Sequence, residues 1–275
     1  MPEPAQTSTV TQVAVGGYDQ SFSNGWGRWQ GWTLEATIYP TQNGPWEFAA
    51  TTFDRPEGRG TMLSAGKELL FGEASSTFLG LSAGSNSDFL PLFRADLDVR
   101  LDLGAGWRLD LAGALSRFTQ NQEVRMLQLG PAYEGAGWSV SAKAQRLTYE
   151  PGGDSDLGGI LNVRFGRSGF GIWHSLRLAA GRGILESSAS GGGLSTMTTM
   201  SGSGGRFGRH ASTPATSTAT PLTASAGPVP LERLVSLTGH WPLTKRFALR
   251  AEASWGEKVS TYVLWGGGLQ VIVTF

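Results

Sequence analysis

The feature that most constrains the fold is a strict alternation of apolar and charged residues at positions 93–103. The apolar set is Phe93, Ala95, Leu97, Val99, Leu101 and Leu103, and the set between them is Arg94, Asp96, Asp98, Arg100 and Asp102. Successive side chains of a β-strand point to opposite faces, so this period of two separates apolar from ionic groups. The alternation resumes at 107–115 after Gly104-Ala105-Gly106, a turn of hairpin size. The sequence therefore predicts an antiparallel hairpin with one apolar and one ionic face.

The same alternation recurs along the chain and predicts about fourteen strands, with about twelve as the alternative. The predicted strands are 9–20, 31–39, 45–53, 60–71, 77–84, 93–103, 107–118, 123–134, 138–149, 158–167, 170–182, 231–241, 246–256 and 263–275. Each is close to the roughly 9–11 residues that cross a bilayer when a strand is tilted by about 45°.

The connections between these strands also alternate, in length. Every second one is short, at 40–44, 72–76, 104–106, 135–137, 167–169 and 242–246, and most others are longer, such as 21–30, 86–92, 151–157 and 183–230. Short periplasmic turns and long extracellular loops are typical of outer-membrane barrels. We therefore predict an all-β fold, a transmembrane antiparallel up-and-down β-barrel with both termini on the periplasmic side.

The competing interpretation is a soluble β-sandwich, whose strands also alternate. A sandwich turns its polar face to water, where lysine is common, yet the chain has four lysines, Lys67, Lys143, Lys245 and Lys258. Sandwich strands also average about 5–6 residues, shorter than those predicted here. The charged fraction of 16% is low for a soluble chain, and the 40 glycines disfavour helices. The barrel is favoured.

We expect one domain over residues 1–275, interrupted by a segment of different composition at about 183–230. Gly, Ser, Thr, Ala, Met and Pro dominate this segment, which cannot bury enough apolar surface to offset its ordering entropy. It is predicted to be a flexible extracellular loop, either a lid, plug or partner arm or, as we favour, a tolerated insertion. Residues 1–12 lack the pattern of a signal peptide, so the sequence is interpreted as a mature form.

Aromatic residues near the short turns predict a girdle at the periplasmic headgroup boundary, because amphipathic rings favour that depth. The predicted girdle consists of Trp32, Trp46, Trp107, Trp138, Trp241 and Phe247. The final residue, Phe275, resembles the C-terminal aromatic by which the barrel-assembly machinery recognises its substrates. Outer-membrane lipid and that machinery are therefore the expected partners, together with periplasmic or outer-membrane components of an envelope complex.

The charges that alternate with the apolar residues are predicted to point into the lumen, because each would cost about 2–4 kcal/mol near the membrane midplane. The predicted lumen-lining residues are Glu35, Glu47, Glu68, Arg94, Asp96, Asp98, Arg100, Asp102, Arg108, Asp110, Lys143, Arg164, Arg177, Arg250 and Glu252. They fit a hydrated pore with a transverse field, or a closed lumen in which Arg94, Arg100 and Arg108 pair with aspartates of neighbouring strands. At about fourteen strands, side chains alone are not expected to fill the lumen.

Chemistry-bearing motifs are weak. Ser82 lies in a G-x-S-x-G pattern, but within a predicted strand rather than at the strand-to-helix turn that this motif needs. The three histidines, His174, His210 and His240, are predicted to lie apart. The chain has no cysteine and its 22 basic and 22 acidic residues cancel, so we expect no enzyme, cofactor, metal site or nucleic-acid partner.

The order of several motifs resembles the YaiO family of outer-membrane barrels. The residues that carry the resemblance are Tyr18, Phe22-Ser23, Trp29, Phe53-Asp54-Arg55, the segment 85–91 and the closing segment 271–275. The resemblance spans most of 13–182 and the last two strands, and residues 187–230 depart from it. It implies an integral outer-membrane barrel of a Gram-negative cell, with a link to surface polysaccharide export in some such barrels, and it implies no catalytic residues.

Two functions follow as hypotheses. The first is a porin-like or export conduit whose inward charges line a hydrated path. The second is a closed structural barrel that anchors an envelope-spanning secretion or motility complex in the outer membrane.

Overall fold

The chain, analysed as a computed structural model, consists of fourteen β-strands. The structure describes residues 10–25, 27–40, 44–56, 58–71, 75–85, 90–119, 122–153, 155–166, 171–182, 231–259 and 261–275. The strands are β1 (Val10–Phe22), β2 (Arg28–Tyr39), β3 (Trp46–Arg55), β4 (Gly58–Phe71), β5 (Ser75–Gly84), β6 (Phe93–Gly104), β7 (Trp107–Arg117), β8 (Glu123–Gly135), β9 (Trp138–Glu150), β10 (Ser155–Gly166), β11 (Trp173–Gly181), β12 (Glu232–Pro242), β13 (Phe247–Lys258) and β14 (Tyr262–Thr274). The predicted fold class and the predicted number of strands are confirmed.

Each strand pairs antiparallel with the next one in sequence, and β1 pairs with β14 to close the barrel. The closing register runs from Gln12 opposite Thr274 to Phe22 opposite Leu264. The backbone N–H of Phe275 extends this seam by donating to the carbonyl of Thr11 at 2.8 Å. Closure pairs the backbone groups of every strand, which a barrel in lipid requires because no water is there to satisfy them.

The alternation seen in the sequence separates two faces of the wall. On β6, Leu97 is 43% exposed on the outer face, whereas Asp98 beside it is 9% exposed on the inner face. The same inversion, with apolar groups outward and ionic groups inward, continues around the wall. It suits a barrel whose outer surface meets hydrocarbon.

The end of the barrel that carries both termini is called here the periplasmic end, and the opposite end the extracellular end. At the extracellular end several strands are longer than predicted: β1 reaches Phe22, β2 begins at Arg28, β3 reaches Arg55 and β10 begins at Ser155. Ser21 still pairs with Arg28, and Arg28 forms a short ion pair with Asp19. The residue pairs at these strand ends have polar side chains on the outer face. The apolar alternation in the sequence therefore ends before the strand pairing does.

The turn between β6 and β7 shows why glycine flanks Ala105. Gly104, Ala105 and Gly106 have φ angles of 83°, 50° and 81°, a left-handed run that two glycines adopt at little steric cost. The chain can thus reverse within three residues.

Among the described residues, no helix is long and apolar enough to cross a membrane. The loop predicted at 183–230 lies outside the described residues.

Candidate functional site: the inner face of the barrel

The inner face is one continuous surface formed by alternate residues of all fourteen strands. Register pairs link it from strand to strand: Ser82 on β5 faces Arg94 on β6, and Arg94 in turn faces Ser116 on β7. All of the charged residues predicted to line the lumen lie on this surface, namely Glu35, Glu47, Glu68, Arg94, Asp96, Asp98, Arg100, Asp102, Arg108, Asp110, Lys143, Arg164, Arg177, Arg250 and Glu252.

The extracellular half of the inner face combines apolar clusters with charged residues such as Arg94 and Glu232. Three buried clusters lie there, and together they are called the extracellular collar. One contains Phe22, Trp29, Ile160, Ala179, Leu234, Leu264 and Tyr262; a second contains Tyr18, Phe53, Met62 and Leu90; a third contains Phe118, Val124, Met126, Leu147 and Tyr149. The collar narrows the lumen at the end where solutes from outside would enter.

The periplasmic half of the inner face is ionic, and Asp110 is at the centre of its best-defined network. Asp110 contacts Arg108 at 3.2 Å on its own strand and Lys143 at 3.3 Å on β9, two strands away. Gly130 lies between them on β8 and presents no side chain, so the lysine can reach across. Arg108 also contacts Glu134 at 3.0 Å. Each of these charged groups thus has a partner of opposite sign, as buried charges generally do.

The Arg94 side chain pairs within its own strand. Its Nη2 lies 2.6 Å from Asp96 Oδ1, its Nη1 donates to Ser116 Oγ at 3.1 Å, and both charged side chains are at most 5% exposed. The expectation that Arg94 pairs with an aspartate of a neighbouring strand was therefore wrong. Residues two apart on a strand share a face, and the long arginine can fold back onto its neighbour.

Two sets of like-charged side chains lie on opposite walls of the lumen. In the periplasmic half, β2, β3 and β4 carry Glu35, Glu47 and Glu68, and this set is called the acidic arc. Strands β9, β10 and β11 carry Lys143, Arg164 and Arg177, and this set is called the basic arc. In the closed order of fourteen strands, β2–β4 lie halfway round the ring from β9–β11. The two arcs thus face each other and direct an electric field across the lumen.

The lumen at mid-depth is narrow. Glu35, Asp110 and Gln270 are 3%, 2% and 1% exposed. Nε and Nη2 of Arg100 and Nε of Arg177 are nevertheless buried without a hydrogen-bond partner in the protein. Buried polar groups are nearly always satisfied, and a polar lumen provides for this by holding water. The inner face at this depth is thus polar, and it can hold water where an apolar core could not.

The residues weighed for enzymatic chemistry are separated. Ser82 lies inside the β5 ladder, opposite Ser64 and Arg94, not at a strand-to-helix turn. His240 faces inward and stacks on Trp173, with 5.6 Å between ring centroids, whereas His174 is on the outer face. His210 lies outside the described residues. Within the described ranges, no group of three His, Asp or Glu side chains is placed to hold a metal ion.

Five of the six residues predicted for the girdle lie on the outer face at the periplasmic ends of their strands: Trp46, Trp107, Trp138, Trp241 and Phe247. The prediction for Trp32 was wrong. Trp32 is the fifth residue of β2 counted from the extracellular end, opposite Gly17, and is 67% exposed. Trp32 follows the long connection 21–30 at the extracellular end and is far from the short turn 40–44, whichever residue begins β2. The role predicted for Phe275, which is 72% exposed, stays a prediction.

Five inward charges of the described residues were missed from the sequence: Arg55, Glu134, Asp156, Glu232 and Lys258. The last two pair at 3.0 Å at the extracellular ends of β12 and β13. All five lie within two residues of a strand end. Continuing the inward–outward alternation of each strand past its last apolar residue would have identified them.

A family model described as the YaiO membrane beta barrel domain matches residues 10–183, more than half of the chain. The chain belongs to the YaiO family. The resemblance deduced from the ordered motifs is thereby confirmed, and with it an integral barrel of the bacterial outer membrane. No curated protein matches the YaiO-family chain.

Solved structures of similar fold include one described as a channel and one described as a porin. The CymD monoaromatic hydrocarbon channel has a TM-score of 0.55 at 8% identity, with 98% of this chain and 88% of that chain covered. The anion-selective porin of Comamonas acidovorans has a TM-score of 0.46 at 8% identity, with 98% and 100% covered. OccK7 (OpdD) of Pseudomonas aeruginosa has a TM-score of 0.48 at 8% identity, with 98% and 99% covered. At these identities the likeness concerns the fold, which is porin-like.

Proposed function

We propose that this YaiO-family barrel is a conduit for small polar or charged solutes across the outer membrane of a Gram-negative bacterium. The observation that carries the proposal is the opposition of the acidic arc and the basic arc across the lumen. A field of this kind orders water and favours solutes that carry charges or dipoles, and it is focused by the low-dielectric wall. A solute of mixed charge can interact with both arcs at once.

The acidic arc favours a conduit over a cross-linked scaffold, whereas the basic arc is paired with acids of nearby strands, Lys143 with Asp110 and Arg164 with Glu134. A scaffold gains most when opposite charges alternate on neighbouring strands, because adjacent side chains then pair directly. Glu35, Glu47 and Glu68 instead succeed one another on adjacent strands. Arg55, at the extracellular end, is the one inward basic residue among the described residues of β2–β5. Like charges brought together in this way favour a lumen that holds water.

The extracellular collar sets the other property of the conduit. Apolar constrictions exclude water and so limit ion flow until they widen. The passage is consequently selective at its extracellular end and charged below it. Its charged half distinguishes it from a path for purely apolar compounds, although CymD, of similar fold, is described as a channel for monoaromatic hydrocarbons.

The family resemblance implies export of a surface polysaccharide for some such barrels. In that version of the proposal, the transported solute is a polysaccharide that leaves the cell. Such export requires the collar to widen enough for a sugar chain to pass. Graded polyethylene glycols test this directly. Polymers that enter the pore reduce its conductance, and entry by small polymers alone supports small solutes over a polysaccharide.

The alternative is a closed barrel that anchors an envelope-spanning complex. The near-complete burial of Gln145, Gln270 and Asp110, each 2% exposed or less, favours it. A barrel filled by its own side chains would act through its loops and periplasmic turns. Crosslinking in cells would then recover envelope partners while the purified barrel stays electrically silent.

The deciding experiment is single-channel recording of the purified barrel in planar lipid bilayers. A conduit gives steady current that changes in Asp98→Asn and Arg100→Gln, two inward residues of β6. The control is Arg125→Gln, which removes an outward charge near the extracellular end of β8. Silence of the wild type over the accessible range of voltage and salt overturns the conduit and leaves the anchor.

The last part of the proposal concerns insertion of the barrel into the outer membrane. We infer that the barrel-assembly machinery engages β14, whose last residues pair with β1 at the seam. Phe275→Ala removes the aromatic ring but keeps the backbone bond to Thr11. Loss of outer-membrane insertion in this variant supports a recognition role for the ring, and normal insertion contradicts it.

A further inference from the structure

Part of the extracellular collar is a continuous aromatic arc built around one arginine. The arc runs through Tyr262, Phe22, Trp29, Arg55, Phe53 and Tyr18. Ring centroids are 5.4 Å apart for Tyr262 and Phe22, 4.6 Å for Phe22 and Trp29, and 6.3 Å for Tyr18 and Phe53. The guanidinium of Arg55 lies 4.1 Å from the centroid of Trp29 and 5.3 Å from that of Phe53.

Three polar atoms of this region are buried without a hydrogen-bond partner among the residues that the structure describes. They are the indole N–H of Trp29, the hydroxyl of Tyr18 and the side-chain oxygen of Gln20. Trp29 is 4% exposed. Gln20 faces Trp29 across the β1–β2 ladder, so a donor and an acceptor are placed side by side. Packing alone does not account for these groups, since burying an unsatisfied polar atom costs free energy that phenylalanine or leucine would avoid.

We infer that the aromatic arc is a binding site for a hydroxylated ring carboxylate inside the mouth of the lumen. The half-buried rings of Tyr18 and Tyr262, at the two ends of the arc, receive the flat or low-polarity face of a ring. The Trp29 N–H donates to the ligand, the Tyr18 hydroxyl donates or accepts, and the Gln20 oxygen accepts from a ligand hydroxyl. Arg55 supplies the charge complementary to a carboxylate, since stacked guanidinium groups still direct their N–H donors along the plane of the group.

One glycine allows the site to form. Gly31 on β2 faces Tyr18, and a Cβ at Gly31 would lie 2.7 Å from the tyrosine ring and 2.8 Å from its hydroxyl oxygen. The tyrosine therefore lies flat against the wall and leaves its hydroxyl beside the arc. A larger residue at position 31 would displace it.

The inference rests on the proposed conduit, because the ligand is its solute, bound at the extracellular end before it enters the charged half. Two sources share the chemistry: a sugar acid, with a puckered ring and several hydroxyls, and an aromatic hydroxy acid, with a planar ring. Glucuronate and 4-hydroxybenzoate are the probes for the two, with glucose and phenol as their uncharged counterparts.

The test is calorimetric titration of the full chain, folded in detergent micelles. We expect saturable binding of one carboxylate probe and weaker or no binding of its uncharged counterpart. Trp29→Phe keeps a ring but removes the N–H, and Tyr18→Phe removes the hydroxyl; each should weaken binding about fivefold or more. Arg55→Gln should abolish the preference for the charged probe.

Trp32→Phe is the matched control, because it makes the same substitution on the same strand but on the outer face. It should bind like the wild type. Circular dichroism of each variant verifies that the barrel is folded, and Tyr18→Phe provides a second readout if Trp29→Phe folds poorly. Equal loss of binding in Trp29→Phe and Trp32→Phe overturns the site.

Recording conductance of the same preparations separates the two proposals. Steady current without saturable binding of either carboxylate overturns the binding site and leaves the conduit. Saturable binding that depends on Trp29, in a barrel without current, overturns the conduit and limits the site to capture. Binding of glucuronate alone assigns the site to sugar acids, and binding of 4-hydroxybenzoate alone assigns it to aromatic acids.

Discussion

Arg94 and Asp96, two residues apart on one strand, form an ion pair of 2.6 Å on the inner face of the barrel. Glu123 and Arg125 repeat the same spacing and the same 2.6 Å distance on the outer face of β8. The two pairs differ in surroundings: the Arg94 and Asp96 side chains are 3% and 5% exposed, whereas that of Arg125 is 61% exposed. They therefore allow the effect of burial to be measured at fixed geometry.

Asp96→Asn should destabilise the barrel by about 3 kcal/mol, because it leaves the buried Arg94 charge without its counterion. Urea unfolding in detergent, followed by intrinsic fluorescence, measures the change. Glu123→Gln is the control and should have little effect, since exposed pairs are screened by water and salt. Similar losses in both variants would show that the inner face is as wet as the outside.

Neutralising one arc should shift ion selectivity in a direction set by its sign. Glu47→Gln weakens the acidic arc and should make the pore more selective for anions, while Arg164→Gln should make it more selective for cations. Reversal potentials in a salt gradient report both. Arg59→Gln removes a charge from the outer face of β4, at the extracellular end, and should leave the reversal potential unchanged. Shifts of one sign in both arc variants would contradict the opposed arcs.

Gly130→Ala should destabilise or prevent folding, because a Cβ at this position would lie 1.8 Å from the carbonyl oxygen of Ala142. The β8–β9 backbone would have to move, at a cost of about 1–3 kcal/mol or more. Gly113→Ala on β7 is the matched control, since its nearest neighbour, the carbonyl oxygen of Met126, is 3.8 Å away. Thermal unfolding in detergent compares them; equal midpoints would contradict the close approach.

The fold could be predicted from the sequence because one signal, the period of two, fixes the face of every residue in a strand. A shift of the pairing register by one residue would turn all of the ionic groups of a strand towards lipid. The sequence therefore strongly determines the register. This is why Arg94, Asp98 and Arg177 could be assigned to one face from sequence alone. Strand ends were less predictable, since pairing at Ser21 and Arg28 continues where the apolar alternation has ended.

The organisation of the site was harder to predict from the sequence than the fold. The opposition of the arcs depends on which strands lie halfway round the ring, which requires the closed order of all fourteen. The aromatic arc joins residues of β1, β2, β3 and β14, and the first and last of these strands are far apart in sequence. Phe22, Trp29 and Arg55 each lie at or next to a strand end, where they read as loop residues. These residues come together because the barrel closes, and the sequence pattern within one strand does not reveal it.

Loosening the extracellular collar should raise the conductance. Leu264 is 1% exposed within the collar, and Leu264→Ala removes apolar atoms that help to exclude water from the constriction. We expect larger single-channel current than in the wild type, together with a loss of stability of about 2–5 kcal/mol from the cavity. Leu269→Ala makes the same change on the outer face of β14, where the leucine is 52% exposed, and should leave the current unaltered. Unchanged current in Leu264→Ala would place the constriction elsewhere, in the charged half, where Asp110 and Gln270 are 2% and 1% exposed.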